Sequence, residues 1–215
     1  MSDTILQKAI LDELDWQPNV NAAHIAVTVR DGVVTLGGHV ATYAEKLAAE
    51  KAVSRVKGVT AIVEQIEVEL GAGNRHGDEA LAERIAQVLD WDITLPSGRI
   101  RATVQNGRVT LNGDVDWQYQ KVAAFEDVHR LSGVAGVTNF IEVKPQVEAS
   151  GVRERIVDSI RRSAELDAQQ ISIHASGGKV VLSGSVHSWR ERSLAEQAAW
   201  SAPGVTEVRD EIKIV

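Results

Sequence analysis

Leu6, Ile10 and Leu14 recur at the spacing of one helical face, and the same stripe returns as Leu81, Ile85, Leu89 and as Val152, Ile156, Ile160. Each stripe predicts a short amphipathic helix; Thr4 and Gln7 stand at capping-box spacing ahead of the first. The period then changes to two. Ile25, Val27 and Val29, then Ile100, Ala102 and Val104, then Ile171, Ile173 and Ala175 read as a strand with one buried face. Asp31-Gly32, Asn106-Gly107 and Gly177-Gly178 follow, pairs that suit a type I′ hairpin turn. A second strand buries Val34 and Leu36, Val109 and Leu111, or Val180 and Leu182.

Glycine punctuates the pattern in a fixed rhythm: Gly32, Gly38, Gly58; Gly107, Gly113, Gly133; Gly178, Gly184, Gly204. The whole unit recurs after 75 and then 71 residues, which identifies three tandem copies of one small domain. The middle glycine of each triplet is expected where backbone turns tightly or where a helix packs too closely for a Cβ. After it comes a second helix, with capping boxes at Thr42/Glu45 and Ser188/Glu191 and an inner face of Ala49, Ala52, Val53, Val56 or Ala195, Ala198, Ala199, Ala202. In the second copy Asp127 interrupts that face. The third glycine stops the helix, and a last strand carries Ile62, Ile66, Val68; Val137, Ile141, Val143; or Val208, Ile212, Ile214. The expected fold is α+β: three αββαβ domains at 1–70, 78–146 and 151–215, each a three-stranded mixed sheet with two helices on one face. Gly71 to Gly77 and Lys144 to Gly151 read as linkers, with Gly73 a linker glycine.

Composition narrows the function classes. The chain has 215 residues and no cysteine, which excludes disulfides, thiolate metal sites and thiol chemistry. No apolar run is long enough to span a bilayer, so an integral membrane protein is not expected; neither a signal peptide nor a lipobox is visible, so the expected location is cytoplasmic. The net charge of −7 divides among the copies as −4, −3 and 0. That balance argues against nucleic acid and leaves the third copy as the place for an anion.

No catalytic constellation stands out. His24, His39, His76, His129, His174 and His187 occupy mostly different repeat positions, none at the spacing of a helical zinc site, and read as surface or turn residues. Asp114 and Asp116 lack the remaining ligands of a calcium loop, and Asp116 reads as a helix cap. No metal, cofactor or catalytic residue is expected, and the chain is not expected to be an enzyme.

Three segments carry a resemblance to a known family: Val33-Val-Thr-Leu-Gly-Gly-His-Val40 with Gly58-Val59, Val109-Thr-Leu-Asn-Gly-Asp-Val115 with Gly133-Val134, and Val180-Val-Leu-Ser-Gly-Ser-Val186 with Gly204-Val205. With the αββαβ order they resemble the BON domain, the bacterial OsmY and nodulation domain, over nearly the whole chain. The resemblance implies a non-enzymatic bacterial module, often in tandem, linked to osmotic and envelope stress and binding phospholipid surfaces or partner proteins. Among cytoplasmic members of that family, one type senses potassium.

Arg153, Arg155, Arg161, Arg162, Arg190 and Arg192 in the third copy are the residues expected to hold lipid phosphates, the alternative being a solvated face paired with Glu154, Asp158 and Glu191. Trp16 and Trp91 are expected to cover the end of the core. Trp200 and, more weakly, Phe125 lie off their helices' inner faces and are expected to contact a neighbouring repeat or a partner. The sequence therefore leads to a stress-associated binding protein for phospholipid head groups. A protein-protein scaffold and a cytoplasmic potassium sensor stand as alternatives.

Overall fold

In a computed structural model, residues 2–71, 77–144, 151–162 and 170–215 are described. Most of both linkers, with Gly73 and His76, lies outside them.

The first repeat runs α1 (Asp3–Asp15), a 3-10 turn (Ala22–His24), β1 (Ile25–Arg30), β2 (Val33–Val40), α2 (Tyr43–Ser54) and β3 (Ala61–Val68). Its counterparts are α3 (Asp78–Trp91), β4 (Ile100–Gln105), β5 (Arg108–Val115), α4 (Gln118–His129) and β6 (Gly136–Val143), then α5 (Val152–Arg162), β7 (Ile171–Ser176), β8 (Lys179–Val186), α6 (Trp189–Trp200) and β9 (Glu207–Ile214). Three separate three-stranded sheets result, ordered β1-β2-β3, β4-β5-β6 and β7-β8-β9. In the first, β1 is antiparallel to β2 with Val27 opposite Leu36, and β2 is parallel to β3 with Gly38 opposite Ile66. The third repeats this arrangement with Ile173 opposite Leu182 and Gly184 opposite Ile212. Each sheet is therefore mixed, as the order of elements predicts. By backbone packing the chain divides into two compact units, one of Met1–Ile93, Arg101–Asn112 and Ala124–Phe140, the other of Thr94–Ile100, Gly113–Ala123 and Ile141–Val215.

The apolar stripes become the core. Leu6, Ile10, Leu14, Val34, Leu36, Ala49, Ala52, Val53 and Ile66 are all buried in the first repeat. In the third, Val152, Ile156, Ile160, Ile171, Val180, Leu182, Ala195, Ala199 and Ile212 form one cluster drawn from both helices and all three strands. Alanine on the second helix lets its axis approach the strands while the longer side chains of the first helix fill the remaining depth.

Two features of the glycine rhythm acquire physical reasons. Asp31 and Gly32 have φ of 51° and 77°, Asn106 and Gly107 have 51° and 73°, and Gly177 and Gly178 have 56° and 83°, the left-handed pair of a type I′ turn. Each turn is tied to the segment after the second helix: the carbonyls of Gly32, Gly107 and Gly178 accept from the amides of Thr60, Ala135 and Thr206 at 2.9, 2.8 and 2.8 Å. Of the two reasons the sequence offers for the middle glycine, a tight backbone turn or a closely packed helix, the close neighbour proves to be backbone of its own repeat and not a helix. A Cβ on Gly38, Gly113 or Gly184 would stand 2.0, 2.1 or 2.0 Å from the carbonyl oxygen of His24, Arg99 or Gln170, the residue that leads into the first strand of its own repeat. With φ of 108°, 138° and 120°, these positions exclude any other residue on two independent grounds.

Capping boxes form on the second helices, where Glu45 and Glu191 amides donate to Thr42 and Ser188 hydroxyls at 3.1 and 3.2 Å. At the equivalent place Gln120 serves, its Oε1 accepting from the amides of Asp116 and Trp117 and its amide donating to the Thr94 carbonyl. On α1 the structure corrects the sequence reading. The helix begins after Ser2 without a side-chain cap, and Gln7 instead donates to the Val27 carbonyl at 2.7 Å, pinning the helix to β1. Asp3 and Asp78 accept amides from the hairpin turns, Asp31 at 3.1 Å and Asn106 at 2.7 Å, so the first helix also fixes the turn.

Candidate functional site

The amphipathic face of α5 buries Val152, Ile156 and Ile160, which turns Arg153, Arg155, Arg161 and Arg162 outward. They do not form one patch. Arg153 donates through Nε to the Ile173 carbonyl at 3.2 Å, so it faces β7. Arg155 and Arg162, seven residues apart, share another side of the helix by its 3.6-residue period. Arg161 lies 3.8 Å from Asp158, an exposed pair of little energetic weight. Arg161 and Arg162 also occupy the last turn, where cations are favoured by the helix dipole.

On α6, Arg190 is exposed, whereas Arg192 is committed to structure. Its Nε donates to Asp210 of β9 at 2.6 Å, and its guanidinium stands 5.1 Å from the Trp189 ring centre. The Asp210 carboxylate also accepts the Ile212 amide at 2.9 Å. The first repeat has the same device: Lys46 pairs with Glu64 at 2.6 Å, and Glu64 accepts the Ile66 amide. This clasp of second helix to last strand was not read from the sequence, although both pairs are eighteen residues apart and could have been found by aligning charges between repeats.

A second unforeseen cluster surrounds Gly113. Arg99 donates to Asp114 and, at 3.1 Å, to Asp116, so Asp116, read from the sequence as a helix cap, is also an ion-pair partner. The guanidinium holds the Asp114 carboxyl below its usual 3.8. A depressed carboxyl stabilises the fold above its unfolded value, and that contribution disappears as pH falls through the folded value. Arg99→Gln is therefore expected to lower the melting temperature at pH 7, by a few degrees at most for so exposed a pair, with the difference fading as pH falls below the carboxyl's ordinary 3.8. Thermal melts of both proteins across that range check it. In the first repeat the same two positions are His24 and His39, whose rings lie 4.7 Å apart.

The aromatics need two corrections. Trp16 and Trp91 do not cover the core end; they are 82% and 86% exposed, beside Ile93 at 98%. His129 is not a surface residue: it is buried, stacked on Phe125 with ring centres 5.2 Å apart. Phe125 itself is half-buried. Trp200 is half-buried too, packed against the core of the third repeat, with its indole N–H donating to Glu196 Oε1 at 3.4 Å. Among the described residues no three His, Asp or Glu side chains converge as metal ligands, and no helix is long and apolar enough to cross a membrane.

Three mixed sheets, each clasped by two helices and punctuated by the same glycines, define a tandem α+β module protein. The BON domain matches residues 2–69, 77–145 and 149–215, and the chain belongs to that family. It is similar to osmotically-inducible protein Y of Escherichia coli strain K12, 29% identical over 148 residues that cover 67% of this chain and 74% of that protein. It is also similar to a 21 kDa hemolysin of Actinobacillus pleuropneumoniae, 29% identical over 155 residues covering 67% and 76%. A structural protein of the type III secretion system of Chlamydia trachomatis, CdsD, aligns over 100% of this chain and 93% of its own at 15% identity, with a TM-score of 0.27 that supports no argument.

Proposed function

We propose that this protein is a non-enzymatic, stress-associated binding protein that engages phospholipid head groups through its third repeat. The relative named for osmotic induction supports the stress association. The observation that carries the lipid reading is the outer surface of α5, where Arg155 and, in the last turn, Arg161 and Arg162 are exposed on the repeat whose charge balances to zero while the others are acidic. Guanidinium groups in that setting bind phosphate oxygens by charge-assisted hydrogen bonds. The repeat position of Arg162 is held by Trp16 and Trp91 in the other copies, and exposed Trp and Arg are the residue types that sit at the boundary between water and lipid.

Flotation with vesicles of anionic phospholipid tests the reading. The protein is expected to float at low salt, with binding reduced by added salt and by Arg161→Glu combined with Arg162→Glu. Absence of flotation at every salt concentration, with the protein instead retaining a protein partner through purification, would overturn it in favour of a docking scaffold.

A further inference from the structure

Within the second compact unit, the first turn of α4 and the outer side of α6 enclose a groove of about 730 Å³. That volume is in the range of small-molecule sites, roughly 300–1,000 Å³. Trp117 and Tyr119 form one wall and Trp200 the other, so the groove is bounded by aromatic surface; Tyr119 remains 57% exposed. No feature of the phospholipid reading uses it.

Glu196 is the one charged side chain among the described lining residues, and it is an acid. Gln118 has its amide oxygen buried without a hydrogen-bond partner among the described residues. Of the donors close by, the Trp200 indole N–H goes to Glu196 and the Ser201 hydroxyl donates to the Gln197 carbonyl at 2.8 Å. The Gln120 side chain takes the amides at the start of α4, which removes the positive end that would have drawn an anion. The groove thus offers one negative charge set among aromatic faces.

Each of these selects the same ligand chemistry. An anion meets the Glu196 carboxylate, and a purely apolar molecule leaves that charge without a counterion. A cation that carries N–H donors pairs with Glu196 and gains attraction from the indole and phenol faces. We propose that this groove binds a small organic cation, a protonated primary amine or a guanidinium carried on an apolar body.

Three ligands that share one apolar body and differ in head group test this: phenylpropylamine, phenylpropanol and phenylpropionate, titrated into the full chain by calorimetry with tryptophan emission followed in parallel. The amine is expected to bind at least about tenfold more tightly than the alcohol, and the carboxylate not at all. Glu196→Gln keeps an acceptor for the Trp200 indole yet removes the charge; it is expected to abolish the preference for amine over alcohol without altering the melting temperature. Tyr119→Ala, at an exposed position outside the core, should weaken all binding. The proposal is overturned if the alcohol or the carboxylate matches the amine, if Glu196→Gln leaves amine affinity unchanged, or if the amine gives neither heat nor a fluorescence change at millimolar concentration.

Discussion

Gly113→Val will unfold the second repeat or lower its melting temperature by roughly 15 °C or more, whereas Gly71→Val will leave the melt essentially unchanged. At Gly113 a Cβ would stand 2.1 Å from the Arg99 carbonyl oxygen, and φ is 138°, so a β-branched residue meets a backbone atom that cannot swing aside and a dihedral it rarely adopts. At Gly71 no heavy atom lies within 4 Å of the added carbon, and φ is not in the left-handed region. Differential scanning calorimetry distinguishes the two. Equal melts would show that the lead-in to β4 yields, and that the middle glycine is a matter of turn preference alone.

Asp127→Ala is expected to act in the opposite direction and stabilise the protein. Asp127 lies on α4 where the other repeats have Ala52 and Ala198, and its Oδ2 is buried without a hydrogen-bond partner among the described residues. Burial raises the carboxyl above its ordinary 3.8, and the neighbouring Asp92 raises it further by charge and by hydrogen bonding to the protonated form. A carboxyl raised in the folded state stabilises the fold below its unfolded value and loses that contribution as pH rises through the folded value, so at neutral pH the native chain carries a penalty. Removing the acid should increase stability at pH 7 by about 1–2 kcal/mol, a few degrees in the melt. Below about pH 3.5 the gain should vanish or reverse, because the protonated acid there donates to Asp92. A lower melting temperature for the variant at pH 7 would mean that Asp127 has a compensating partner.

Architecture was legible because turns and cores leave periodic marks. The hairpin pairs needed two successive left-handed residues, and Thr42 and Ser188 preceded glutamates at the one spacing that closes a capping box. The role of Gly38 and its counterparts was legible only as a need for glycine: the atom that forbids a side chain belongs to His24, Arg99 or Gln170, and hydrophobic periodicity contains nothing about a carbonyl one residue ahead of a strand. Trp16 was misread although the signal was present, since two residues beyond Leu14 the helix has turned away from the buried stripe. The Arg192–Asp210 clasp was hidden by treating the third repeat's arginines as one set, when comparison with Lys46 and Glu64 separates it from the exposed ones. The groove beside Trp200 was beyond reach, because its walls come from Trp117 and Trp200, far apart in the chain.

Every sheet places its second strand at the centre, flanked by a partner two residues upstream and another that follows the very next helix. A nascent chain can therefore complete each layer before the whole of the next homologous segment has emerged from the ribosome, and closes short loops before long ones. For a polypeptide with three near-copies of one pattern, that ordering limits exchange of strands between copies, the usual hazard of repeated sequence.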